Sequence, residues 1–164
     1  MRYNGIIKND TANGTGFHVS FFVQGCPHRC KGCFNPETWD FNGGAPYTDD
    51  VKEEIISAIG ANGVQRNLSI LGGEPLASEN LYMVSDLIKA VKEAYPNIKI
   101  YLWTGYYMEQ LDKNNTYINY ILNNLTYLID GPFIEEQKNL NLELRGSDNQ
   151  RIWYHTDENL WKKK

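Results

Sequence analysis

Short apolar strands alternate with amphipathic helices along this chain, and that alternation restricts the fold more than any other feature. Residues 19–23 read as a strand that ends at Gly25. Thr48 offers a helix cap, Asp49 and Asp50 an acidic first turn, and Val51, Ile55, Ile56 and Ile59 an apolar face that Gly60 and Gly63 terminate. Residues 68–71 form a second strand, broken by Gly72-Gly73. A helix beginning near Ser78 carries Leu81, Val84, Leu87, Ile88, Val91 and Tyr95 at helical spacing until Pro96. A third strand follows at 98–102, then one or two helices between Tyr106 and Asn124. A fourth strand at 125–129 ends at Asp130-Gly131-Pro132, and residues 142–154 have room for one or two more.

Connections of this length join parallel strands, so the pattern predicts an α/β fold: a mostly parallel sheet with flanking helices. Periodicity leaves two arrangements open, a doubly wound open sheet and a partial, shortened β/α barrel. In both, chemistry gathers at the C-terminal ends of the parallel strands. The unusual residues obey that rule. Strand by strand, the loops carry the cysteines, Gly72-Gly73-Glu74-Pro75, Trp103-Thr104-Gly105-Tyr106 and Asp130-Gly131. The 164 residues suit one domain, 1–164, with no repeat or linker to divide it.

A net charge of −4 gives no reason to expect nucleic-acid or membrane binding, and Lys162-Lys163-Lys164 reads as a solvated tail. The N-terminus has no apolar signal segment, which predicts a cytoplasmic protein. All three cysteines fall between positions 26 and 33. An odd number so crowded makes a poor disulfide framework and a good metal or redox site.

Cys26, Cys30 and Cys33 sit in a loop turned by Gly25, Pro27 and Gly32. Thiolates so spaced converge on one centre while backbone amides turn inward, as an anionic iron–sulfur cluster requires. Three ligands for four irons leave one iron open. The competing reading is structural zinc, with His28 or His18 as fourth ligand, although such sites usually pair two cysteine knuckles. His18 otherwise reads as a strand residue, His28 as pointing outward, and His155 carries no signal.

The spacing Cys-x₃-Cys-x₂-Cys, followed by Gly72-Gly73-Glu74-Pro75, resembles the radical S-adenosylmethionine superfamily. The resemblance implies a partial barrel and a [4Fe–4S] cluster on Cys26, Cys30 and Cys33. It further implies S-adenosylmethionine on the open iron, cleaved by one electron to a 5′-deoxyadenosyl radical. Gly72, Gly73 and the acidic side chain of Glu74 would meet the methionine amino group. Where the superfamily usually has an aromatic residue beside the last cysteine, this chain has Gly32, which leaves Phe34 for the adenine.

Nearly the whole chain is similar to one branch, the activating proteins of glycyl-radical enzymes, above all those serving anaerobic (class III) ribonucleotide reductase. The likeness is carried by Asn13-Gly14-Thr15-Gly16, residues 35–39, Trp103 to Tyr106, Asp130 to Phe133, and 145–151 from Arg145 to Arg151. It implies an enzyme that stores a glycyl radical on anaerobic ribonucleoside-triphosphate reductase, with a flavodoxin or ferredoxin-type electron donor. Asp130 is then a candidate cofactor contact, and Arg145 and Arg151 candidates for the S-adenosylmethionine carboxylate or the partner. No general acid–base pair is needed, because the cofactor carries the hard chemistry. The rival readings are a radical enzyme acting on a small molecule and a non-catalytic metal-binding module.

Overall fold

The computed structural model describes residues 1–156 and 160–164. Its strands are β1 (Arg2–Asp10), β2 (His18–Val23), β3 (Ala45–Pro46), β4 (Asn67–Gly72), β5 (Ile100–Trp103), β6 (Tyr127–Asp130), β7 (Arg151–His155) and β8 (Trp161–Lys163). Three helices, α1 (Asp49–Ile59), α2 (Leu81–Ala94) and α3 (Thr116–Asn124), connect β3 to β4, β4 to β5 and β5 to β6. The strands form one sheet in the order β3-β1-β2-β4-β5-β6-β7-β8. Among the described residues, no helix is long and apolar enough to cross a membrane.

The expectation of a mostly parallel sheet needs correction. β2-β4, β4-β5 and β5-β6 pair in parallel, but β1-β2, β1-β3, β6-β7 and β7-β8 are antiparallel. The helix-connected centre is parallel because a helical crossover returns the chain in the same direction. The outer strands join by loops that reverse it. β1 lies outside the expectations altogether. Its sequence lacks a clean alternation, and Asn4, Gly5, Lys8 and Asn9 within it are poor strand formers. It is held because its backbone pairs on both sides, with β2 and with the two residues of β3. The far edge is only three residues long and carries Lys162 and Lys163, which discourages pairing with another chain.

The helices share one core. Val19, Phe21 and Val23 of β2, Leu68 and Ile70 of β4, Ile100 and Leu102 of β5 and Leu128 of β6 pack with Ile55 and Ile59 of α1, Leu87 and Ile88 of α2 and Ile121 of α3. Each fully buried side chain of this kind contributes roughly 1.5–3 kcal/mol through removal of apolar area from water. Thr48 caps α1 as expected, accepting from the Val51 N–H. Because β2, β4, β5 and β6 follow one another without reversal, crossovers of one hand put all three helices on one face. The alternate residues face the other way, where Tyr101, Ile129 and Ile152 form a second, smaller cluster with Trp103, Tyr127 and Leu144. That face carries the candidate site.

Candidate functional site

Four loops leave the C-terminal ends of the parallel strands and surround a cavity of about 680 Å³. Cys26, Cys30 and Cys33 all line it, together with Gly72, Gly73 and Phe34. The cysteine loop is stitched to its neighbour through backbone. Gly73 N–H donates to the Val23 carbonyl (2.9 Å) and Glu74 N–H to the Gly25 carbonyl (2.8 Å). The approach is so close that a Cβ on Gly73 would collide with the Gly25 carbonyl. The loop itself is turned by left-handed residues, Gly25 (φ 101°), Arg29 (φ 49°) and Gly32 (φ 75°).

All three thiols are free and half-buried. Burial pushes the Cys26 thiol up to about 11 and raises Cys30 as well, so their thiolates need a compensating positive centre. One backbone amide is already aimed at a sulfur, that of Asn35 at Cys33 (3.4 Å). Three free thiols on one cavity, short of positive charge and with an N–H donor already on Cys33, fit a cysteine-ligated iron–sulfur cluster. They fit structural zinc less well. Among the described residues no three His, Cys, Asp or Glu side chains gather to hold a single ion. His18 does not line the cavity of the cysteines, and His28 lines it but is engaged at Nε2. His18 is buried, with Nδ1 on Ser69 (2.7 Å) and Nε2 on the Thr15 carbonyl (3.0 Å). His28 has Nε2 on Glu74 (2.6 Å).

His28 therefore does not point outward as expected. Its ring turns into the cavity wall, edge-on to Tyr106 at 4.5 Å. Glu74 is fully buried behind that wall, with two donors on each carboxylate oxygen. His28 and Gly105 N–H (2.6 Å) reach Oε1, while Leu76 N–H and the Thr104 hydroxyl (both 2.8 Å) reach Oε2. The glycines of this loop face the cavity, whereas its acidic side chain is occupied within the protein.

Gly32 is also explained locally. Its φ of 75° is left-handed, a conformation that strains any residue with a Cβ, and a side chain there would also have to displace the Glu135 carboxylate. Phe34 is on the cavity, packed on Phe133 at 4.9 Å and crossed by the Lys138 ammonium at 5.6 Å.

Asp130 and the two arginines divide differently from the expectation. Asp130 is fully buried and does not face the cavity. It accepts from Met108 N–H (2.8 Å) and from Arg151 at both oxygens (3.0 and 2.6 Å). Arg151 also pairs with Glu109 through two nitrogens, which pulls that carboxyl down to about 2. Arg151 thus fastens β7 to the end of β6. Arg151→Ala would leave the buried Asp130 unpaired and is expected to cost about 3 kcal/mol in denaturant unfolding. Arg145, by contrast, lines the cavity and among the described residues has only carbonyl partners, Glu143 (3.2 Å) and Gln150 (3.5 Å).

Two parts of the wall escaped sequence reasoning. Ala12 and Asn13 reach it from the β1–β2 connection. Leu140, Leu142 and Leu144 line it from a strap that the Trp103 indole N–H ties down at the Leu144 carbonyl (2.8 Å). The alternation of those leucines was the available signal.

The site and the sequence place the chain among iron–sulfur proteins: residues 12–153 match the family described as 4Fe-4S single cluster domain. Among curated relatives, an anaerobic ribonucleoside-triphosphate reductase-activating protein of Vibrio cholerae is 39% identical over 153 residues, covering 93% of this chain and 97% of the relative. One of Enterobacteria phage T4 is 38% identical over 164 residues, 99% of each chain. One of Escherichia coli K12 is 33% identical over 153 residues, 93% of this chain and 97% of the relative. The chain belongs to the family of anaerobic ribonucleoside-triphosphate reductase-activating proteins.

Proposed function

We propose that this chain, acting as one domain over residues 1–164, installs a glycyl radical on anaerobic ribonucleoside-triphosphate reductase in the cytoplasm. In this reading Cys26, Cys30 and Cys33 hold a [4Fe–4S] cluster, and the cavity beside them takes S-adenosylmethionine. The observation that carries it is the opening of three free thiols onto the same cavity as Gly72 and Gly73, in a chain so similar to named activating proteins. When bound, the cluster supplies the single electron that splits the sulfonium, drawn from a flavodoxin or ferredoxin-type donor.

The chain's own residues bind and orient. Gly72 and Gly73 let the methionine moiety approach backbone closely. Phe34, an apolar surface on the cavity, is the adenine platform. Leu140, Leu142 and Leu144 keep water from the reacting atoms. The helices on one face and the unreversed order β2-β4-β5-β6 support a shortened β/α barrel whose inner surface is this cavity wall.

Arg145 suits the carboxylate of S-adenosylmethionine, because it stands on the cavity with no acidic partner among the described residues. Anaerobic reconstitution tests the reading. The wild-type protein should turn brown, bind close to four irons and cleave S-adenosylmethionine under reductant. Arg145→Ala should keep the iron and raise KM for S-adenosylmethionine by about tenfold or more, the loss of one charge-assisted hydrogen bond. A colourless protein that binds zinc would contradict the reading, and an unchanged KM would remove Arg145 from it.

A further inference from the structure

The turn that joins β1 to β2 is fixed more firmly than a link between two paired strands requires. Asp10, His18, Ser20 and Ser69, from β1, β2 and β4, are all buried around it. Burial of such polar groups is costly unless each finds a partner. Asp10 takes the Ala12 N–H on one oxygen (2.8 Å). On the other it takes the side-chain amide of Asn13 and the Ser20 hydroxyl (both 2.6 Å). His18 donates from Nε2 to the Thr15 carbonyl (3.0 Å), and because a carbonyl only accepts, Nε2 carries the proton. The Ser69 hydroxyl bridges Nδ1 of His18 (2.7 Å) and the Asn13 carbonyl. Gly14 stands where any Cβ would overlap the imidazole, and Tyr101 packs edge-on to the ring at 4.8 Å. The ring is thus bonded at both nitrogens and packed on its sides.

Asn13 is the residue that this arrangement serves. It lines the cavity of the cysteines and Gly73, and both its backbone and its side chain are held from behind. A carboxylate only accepts, so Asp10 binds the NH₂ end of the Asn13 amide and sets which way round the amide stands. Oδ1, an acceptor, is the end left for a ligand. S-adenosylmethionine offers donors to such a group in its ribose hydroxyls and its ammonium.

We propose that Asn13 binds S-adenosylmethionine through Oδ1 and that His18 is the residue that positions it. Through the Thr15 carbonyl and Ser69, the buried ring holds the backbone on either side of Gly14, while Asp10 orients the amide. The role of Asn13 rests on the proposed function, whereas the lock on the turn does not.

The two parts are tested separately. In the reconstituted protein, cleavage of S-adenosylmethionine is measured with a chemical reductant, beside iron content. Asn13→Ala should keep its iron and raise KM for S-adenosylmethionine by about fivefold or more, the worth of one hydrogen bond. His18→Leu should raise KM to a similar degree. His18→Gln, whose amide supplies one donor and one acceptor, should recover most of the loss. Added to Asn13→Ala, His18→Leu should change KM little further, because the group it positions is gone. Lower thermal stability in His18→Leu with an unchanged KM would make His18 a core residue only and overturn the proposal. An unchanged KM in Asn13→Ala would overturn it as well. Where His18→Leu does not fold, Ser69→Ala removes only the bridging hydroxyl and is held to the same two outcomes.

Hydrogen exchange in the metal-free protein decides the lock. Ser69→Ala should speed exchange of the Ala12 amide by about tenfold or more, and exchange as slow as in wild type would overturn the lock. A wild-type protein that takes up iron but neither binds nor cleaves S-adenosylmethionine would sink the proposed function and the role of Asn13 with it. The exchange result would still decide the lock.

Discussion

Ala in place of Cys26, Cys30 or Cys33 is expected to give a protein that folds, stays colourless after anaerobic reconstitution and does not cleave S-adenosylmethionine. The loss should be complete because the chain has no fourth cysteine to substitute. Each thiol also lines the cavity from a different part of the loop. Folding should survive, since the loop is held by other bonds. Gly25 N–H reaches the Thr38 carbonyl at 2.7 Å and Cys26 N–H the Trp39 carbonyl at 3.1 Å, neither through a side chain of the cysteines. Iron and sulfide analysis checks the first part and circular dichroism the second. A single variant with full iron content and full cleavage would show that its cysteine is not a ligand.

A bulky residue at Gly73 is expected to damage both halves of the site at once. Any Cβ there meets the backbone carbonyl of Gly25, which cannot rotate away as a side chain would. That carbonyl accepts from Glu74 N–H at 2.8 Å, so relief of the collision pulls the two loops apart. Gly73→Val should therefore lower stability by about 1–3 kcal/mol, the usual cost of overpacking. It should also reduce iron uptake together with affinity for S-adenosylmethionine. Thermal unfolding, iron analysis and ligand titration on one preparation separate the effects. Normal iron with only weaker ligand binding would mean that the loops are independent.

These expectations show what the sequence made legible and what it hid. The strands β2, β4, β5 and β6 and helices α1 and α2 were readable because each buries one regular stripe, with period two or 3.6, against a shared core. The convergence of four loops on one face followed from that order alone. β1 was hidden because its stability comes from pairing with β2 and β3, a tertiary fact its own residues do not announce. The antiparallel outer strands were hidden for the same reason, since loop direction is not written in periodicity. Within the site, the cysteines and Gly72-Gly73 were visible as residue types at a spacing. The direction of His28, Glu74 and Asp130 was not. A buried carboxylate is placed by its donors, and Thr104, Gly105 and Arg151 lie 21 to 31 residues away from the groups they bind. Arg145 and Arg151 looked equivalent in sequence. They differ only because Asp130 and Glu109 hold one of them.

The most direct test of the central proposal is the fate of the unpaired electron. The reconstituted protein, reduced anaerobically, is mixed with anaerobic ribonucleoside-triphosphate reductase and S-adenosylmethionine, and the mixture is followed by electron paramagnetic resonance. A glycyl radical should appear on the reductase, grow with consumption of S-adenosylmethionine, and be absent when any one of Cys26, Cys30 or Cys33 is replaced. No radical on the reductase, with a small molecule consumed in step with S-adenosylmethionine instead, would contradict the account.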